Sequence, residues 1–209
     1  MKLAFIGIGK VGFALANHFQ QKGHEIIVAH DDVDGESVAS ARQKNPAFTA
    51  LPLQPAIDEA DLVFLAIPFP SSEEILKPLS FRGKVLVDCT NPVGPGISHG
   101  LHSTVSGSEK IQEWAGDARL VKAFSIYGYE NLVNPHFPDY EVKPVMPIAG
   151  NEPEAKQTVQ ELSAELGFTA LDVGELSRAL HLEHMTLLWV NMVRADGRSP
   201  HFTWACLAR

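Results

Sequence analysis

The chain opens on four apolar residues in a row, Leu3-Ala4-Phe5-Ile6, followed at once by Gly7-Ile8-Gly9-Lys10-Val11-Gly12. No other feature constrains the fold as strongly. A short unbroken apolar run with glycine directly behind it reads as a strand buried on both faces, as parallel sheets require. Val11, Ala14, Leu15, His18 and Phe19 then recur at helical spacing. Gly23 supplies a residue tolerant of positive φ to close that helix. The pattern G-x-G-x-x-G carries meaning in this setting, between a strand and a helix. Gly7 permits the tight turn, Gly9 lets a pyrophosphate approach the backbone, and Gly12 lets the helix pack closely. The free N–H groups at the helix start and the positive end of its dipole complete an anion site.

The alternation continues along the chain. Residues 25–29, 48–51, 62–67, 84–88, 119–124, 143–149 and 168–173 read as strands. Residues 36–44, 54–60, 108–115 and 153–166 read as helices, with another beginning at Ser71. Residues 92–104 are rich in Gly, Pro, Ser and His and read as an irregular binding loop. From 175 onward the pattern is helical, interrupted at Asp196-Gly197. The expectation is an α/β, Rossmann-type, doubly wound and mostly parallel sheet. Residues 1–209 form one dinucleotide-binding domain, with C-terminal helices over about 174–209 packing on it or at a dimer interface.

Gly7, Ile8, Gly9, Lys10, Val11 and Gly12 are therefore assigned to the pyrophosphate. The end of the second strand, His30 and Asp31, is assigned to the adenosine ribose. A carboxylate there accepts hydrogen bonds from the ribose diol and repels a 2′-phosphate, so Asp31, with Asp32 beside it, favours NAD. His30 and Arg42 keep NADP open as a 2′-phosphate binder. Two further strand ends, Ile67-Pro68 and Asn91-Pro92, are assigned to the nicotinamide half, because open α/β sheets bind ligands at their carboxyl edge. Asn91 either hydrogen-bonds the cofactor or caps its own loop before proline.

Composition removes other classes. The formal charge is −8 at pH 7, which opposes nucleic-acid backbones. The N-terminal apolar run is too short for a signal segment or a membrane span. Two cysteines without paired spacing, Cys89 and Cys206, point to a reducing cytoplasm rather than a disulfide framework.

Several matching stretches extend beyond the glycine turn. They are Gly23-His24-Glu25, Leu65-Ala66-Ile67-Pro68, Val87-Asp88-Cys89-Thr90-Asn91-Pro92, Val121-Lys122-Ala123-Phe124, and Leu176-Ser177-Arg178 with Leu182-Glu183. In this order the chain resembles the NADP oxidoreductases dependent on coenzyme F420, a deazaflavin, and the related ferric-reductase domains of the STEAP proteins. The resemblance implies direct hydride transfer between a nicotinamide and a flavin or deazaflavin, without a protein acid at the reacting carbon, in a compact unit that is often dimeric. One departure stands out. The family usually carries a small residue and then Arg after the second strand, for the 2′-phosphate, where this chain has His30 and Asp31.

Two rival readings remain. One is a small-metabolite dehydrogenase using Lys122 or a histidine as acid. The other is a non-catalytic NAD(P)(H) sensor. No metal is expected: His99 with His102, and His181 with His184, have i, i+3 spacing but no carboxylate or cysteine to complete a set, Glu183 lying on another side of its helix. Cys89 reads as a buried structural thiol. Tyr127 and Tyr129 could border a flat ring. The stripe Leu182, Met185, Leu188, Trp189, Met192 reads as core or as the seam of a homodimer. The remaining partner is a small-molecule redox acceptor, with no nucleic acid and no membrane.

Overall fold

The computed structural model describes residues 1–209, and its first strand, β1 (Lys2–Ile6), lies near the middle of an eight-stranded sheet. Helix α1 (Lys10–Gln21) follows, turns Ala14, Leu15, Ala16 and Phe19 onto the sheet, and ends where Gly23 takes φ +93°. Then come β2 (Glu25–Ala29), α2 (Glu36–Lys44), β3 (Thr49–Leu51), α3 (Leu53–Glu59), β4 (Leu62–Leu65), α4 (Ser72–Leu76) and β5 (Val85–Asp88). A small antiparallel pair, β6 (Val93–Gly94) and β7 (Ser98–His99), precedes α5 (Gly107–Trp114). The chain continues through β8 (Arg119–Lys122), α6 (Tyr129–Val133), β9 (Val145–Gly150), α7 (Pro153–Glu165), β10 (Thr169–Asp172) and α8 (Ala179–Arg194).

The sheet order is β10-β9-β8-β5-β4-β1-β2-β3. The chain winds outward from β1 to β3, returns to the other side of β1 at β4, and winds outward again. Six strands are mutually parallel, β9 runs antiparallel to β8, and β10 is parallel to β9. This is the doubly wound, mostly parallel α/β sheet expected. Alternate residues of β1 feed two separate cores. Leu3 and Phe5 face the side covered by α1, α2, α7 and α8, and Ala4 and Ile6 face α3, α4 and α5. Phe5 stacks on Phe64 with ring centroids 4.6 Å apart. Truncating either ring to alanine costs about 3–5 kcal/mol by the usual cavity scale.

The structure departs from the sequence reading in four places. Strand β4 stops at Leu65, because Ala66 and Ile67 already form the wall of the glycine turn. Residues 92–104 are not wholly irregular, since they contain the β6–β7 pair. Helix α6 was not expected. The helical pattern beyond Asp196 also fails, and residues 195–209 hold no helix. Gly197 takes φ +68°, and Pro200 bars helix at the residue before it. The segment instead runs along the protein as a strap. Val145 N–H donates to the Trp204 carbonyl at 2.8 Å, Asn131 Nδ2 to that of Pro200 at 2.8 Å, and Trp189 Nε1 to that of Phe202 at 3.3 Å.

At the opposite edge of the sheet from the strand ends that matter below, Asp117 staples the turn before β5. Its carboxylate accepts from Phe81 N–H and Arg82 N–H, both at 2.8 Å, and from the Ser80 hydroxyl at 2.9 Å. Burial pushes this carboxyl up, but the hydrogen bonds outweigh it and hold it below its ordinary value. A depressed folded-state value stabilises above the unfolded value of about 3.9, and that stability is lost as pH falls through the folded one. Thermal melts should therefore show Asp117→Asn below the parent at pH 6, with the gap narrowing on acidification below about pH 4. A gap that widens in acid would contradict this.

Candidate active site

The strands' carboxyl edge has its topological switch between β1 and β4, where Gly7 meets Ala66. Gly7 has φ +98°, and a Cβ there would lie 2.6 Å from the Ala66 carbonyl oxygen. A Cβ on Gly12 would collide with the Gly7 carbonyl. At Gly9 the situation is reversed: a Cβ would have nothing within 4 Å. Two of the three glycines are thus required by the protein's own packing, while the third leaves free space over the turn. Gly9 is the N-cap of α1, and no side chain caps that end. Lys10 is exposed and places its Nζ 5.1 Å from the centre of the Tyr129 ring. Ile8 is buried and Val11 half-buried, so both contribute backbone rather than side chain to this surface.

Beside the turn is a cleft of about 250 Å³, bordered by Gly7, Ile8, His30, Asp31, Leu53 and Ile67. His30 and Asp31 follow β2 directly, and Asp31 is exposed. Asp32 N–H donates to His30 Nδ1 at 3.0 Å, which leaves the imidazole proton on Nε2. Ser37, at the start of α2, also borders this cleft. Arg42 sits six residues into the same helix, about 9 Å along its axis from Glu36, toward the opposite edge of the sheet. Asp31, Asp32, Asp34 and Glu36 thus leave this end acidic. A larger cleft of about 420 Å³ lies about two turns down α1, around His18, Asn134 and Tyr140, away from the glycine turn.

The other half of the edge is formed by the ends of β4, β5 and β8. Ile67 is half-buried, Pro68 exposed, and Pro92 buried. Asn91 is tied on both sides, its Nδ2 donating to the Ser125 carbonyl at 3.0 Å and its Oδ1 accepting from the Thr186 hydroxyl at 3.0 Å. One amide N–H and one lone pair are left over, so Asn91 mainly holds its loop to α8. Phe124 is buried with φ +55°, a strained conformation for a bulky residue at a strand end. The two tyrosines separate in role. Tyr127 is buried, its hydroxyl donating to the Val145 carbonyl at 2.7 Å, while Tyr129 stands beside Lys10. Burial pushes the Tyr127 phenol well above its ordinary value. The Cys89 thiol is likewise pushed far up by burial first and by Asp88 second, as expected of a structural rather than a reactive cysteine.

Beneath Asn91 and Pro92 is a group of buried charges that the sequence reading did not assemble. Lys122, Asp88 and Glu183 are essentially inaccessible. Lys122 Nζ lies 3.1 Å from Asp88 Oδ2 and 3.6 Å from Glu183 Oε1, and it donates to the Thr90 carbonyl. The Ser108 hydroxyl and Thr90 N–H donate to Asp88 at 2.6 and 2.8 Å. Glu183 accepts from Gly107 N–H at 3.0 Å and Ser108 N–H at 3.3 Å, at the start of α5. Glu183 does not point elsewhere, because His99 Nε2 lies 2.7 Å from its Oε2. The histidines do not associate by their i, i+3 spacing. His99 faces His184, with ring centroids 5.5 Å apart, while His102 and His181 are exposed. The available signal was an ionic residue inside an apolar run: Lys122 between Val121 and Ala123, and Asp88 after Val87.

The C-terminal stripe divides in the same way. Leu182 and Trp189 are buried within the chain, and Leu188 is 52% exposed. No helix is long and apolar enough to cross a membrane.

Comparison with known proteins adds to this geometry. Residues 2–92 match the family model described as NADP oxidoreductase, coenzyme F420-dependent. The chain is 26% identical to the F420-dependent NADP reductase of Methanothermobacter thermautotrophicus, over 92% of this chain and 89% of that protein. It is 26% identical to the metalloreductase STEAP3 of Rattus norvegicus over 89% of this chain, but spans only 36% of that protein's length. A solved structure of a candidate F420-dependent NADP reductase from Arthrobacter sp. FB24 superposes with a TM-score of 0.82 at 26% identity, covering all of both chains.

Proposed function

We propose that this chain is a reductase moving a hydride between a nicotinamide dinucleotide and a flat flavin- or deazaflavin-type acceptor, a reading supported by the match of residues 2–92 to the coenzyme F420-dependent NADP oxidoreductase model. The observation that carries the reading is the free space over Gly9 at the uncapped start of α1. That is the shape and polarity a pyrophosphate needs. The reduced nicotinamide supplies a hydride, two electrons with one proton, and a flavin-type acceptor takes it with a further proton from water. The protein's own part is to bind, orient and exclude water. Gly7 to Gly12 hold the pyrophosphate, His30 and Asp31 the ribose, and Ile67, Pro68, Asn91 and Pro92 border the nicotinamide. Residues 1–209 act as one unit, in the cytoplasm, and pair into a homodimer through the exposed side of α8 at Leu188.

The rival reading as a dehydrogenase with Lys122 as acid loses support, because Lys122 is enclosed and committed to three partners. The choice within the dinucleotides follows Asp31. Two unit charges at ~4 Å through an effective dielectric of ~20 repel by about 4 kcal/mol before screening. A residual of about 1.4 kcal/mol is still a tenfold preference. NADH should therefore bind about tenfold or more tightly than NADPH, and Asp31→Arg should reverse the order. Fluorescence titration of both reduced cofactors against both proteins checks this, and tighter NADPH binding by the parent overturns it. Loss of NADH absorbance with flavin or deazaflavin, measured alongside, tests the acceptor class.

A further inference from the structure

Lys122 balances one of the two buried carboxylates beside the proposed nicotinamide pocket, and one carboxylate is left over. Asp88 and Lys122 are in direct contact at 3.1 Å, so they cancel to first order. Glu183 stands farther from the ammonium, at 3.6 Å. Its other neighbours bring no full positive charge. His99 Nδ1 accepts from Leu101 N–H at 3.2 Å and from Ser103 N–H at 3.1 Å, so that nitrogen carries no proton and the ring is neutral. The start of α5 contributes about half a positive charge through Gly107 and Ser108 N–H. The cluster is therefore net negative, and it is buried. It also lies against the cofactor edge, because Lys122 donates to the Thr90 carbonyl, one residue before Asn91-Pro92.

We propose that this cluster of Asp88, Lys122 and Glu183 biases the site toward the oxidised, positively charged form of the nicotinamide and so favours hydride donation by the reduced cofactor. The inference rests on the dinucleotide reading and on the nicotinamide lying over Asn91 and Pro92. It does not depend on which acceptor is used. Its physical basis is that the ring gains one positive charge when the C4–H bond breaks and both electrons leave with the hydrogen. A fixed negative charge nearby acts only on that difference. A cluster that served solely to hold the loop would affect the two forms alike.

The experiment is calorimetric titration of NAD+ and NADH, measured separately, with the full chain. Glu183→Gln removes the surplus charge at constant size and should shift the ratio of the two affinities toward NADH. A shift of about tenfold in that ratio is expected, equivalent to about 1.4 kcal/mol. Asp88→Asn should shift the ratio in the same direction and carries the test if the first variant does not fold. Glu183→Asp keeps the charge and should keep the parent ratio even if both affinities fall. A ratio within about twofold of the parent in a folded, charge-removed variant overturns the proposal while leaving dinucleotide binding intact. If the parent binds neither form, the dinucleotide reading itself fails, and this inference with it.

Discussion

Gly9→Val should leave the protein folded and reduce NADH affinity by at least ~100-fold, or about 2.7 kcal/mol. The two halves of that expectation come from one measurement in the structure. A Cβ at Gly9 meets nothing within 4 Å, so the protein has no packing reason to reject a side chain there. The same open space is where a pyrophosphate must come down onto the N–H groups of α1, and two γ-methyls would occupy it. The other glycines provide the control. Gly12→Ala drives a methyl into the Gly7 carbonyl, and Gly7→Ala adds strain at φ +98°, so both should lower stability before they affect binding. Calorimetry together with a thermal melt separates the cases. A folded Gly9→Val protein with parental affinity would remove the glycine turn from the site.

Lys122→Met should be as damaging to stability as truncating a core aromatic ring. It leaves Asp88 and Glu183 buried with no cation between them. Breaking a buried ion pair from one side costs about 3–5 kcal/mol, because the remaining charge keeps its desolvation penalty. In a chain of this size that corresponds to a fall in Tm of roughly 6–20 °C. Adding Asp88→Asn should recover part of the loss, since one of the stranded charges disappears and the two positions are in contact. Differential scanning calorimetry on the single and double variants checks both points. A Tm within about 2 °C of the parent for Lys122→Met would mean that the carboxylates take up protons at little cost or that water reaches them.

The glycine turn was legible because everything it needs is local. Strand, turn and helix occupy the first 21 residues, and each glycine's reason can be stated from its neighbours. The acidic end of β2 was legible for the same reason, whereas the end of β4 was placed two residues late because Ala66 and Ile67 pack on the turn from a distant part of the chain. The buried charge cluster was not, because its members meet only across the fold. His99 and Glu183 are 84 positions apart, and Lys122 and Asp88 are 34. The role of Asn91 stayed open between cofactor contact and loop capping because its partners, Ser125 and Thr186, are equally remote. The C-terminal strap was misread as helix because the apolar spacing of α8 was extended past Gly197, where Pro200 and hydrogen bonds to Asn131, Val145 and Trp189 decide the conformation.

The reversal of direction at β9 has a consequence for how such a chain can diversify. A parallel successor to β8 would have to be reached by a crossover from one edge of the sheet to the other. Because β9 is antiparallel, the connection from Ala123 to Pro144 leaves and returns at the same edge of the sheet as the glycine turn. It has no obligatory path to span, so insertions and deletions there need not disturb the strands that carry the glycine turn. Its one short helix, α6, already lies against α1, the helix that Lys10 begins. The segment from Ala123 to Pro144 can thus change in length or sequence while the strands and the glycine turn beside it stay as they are.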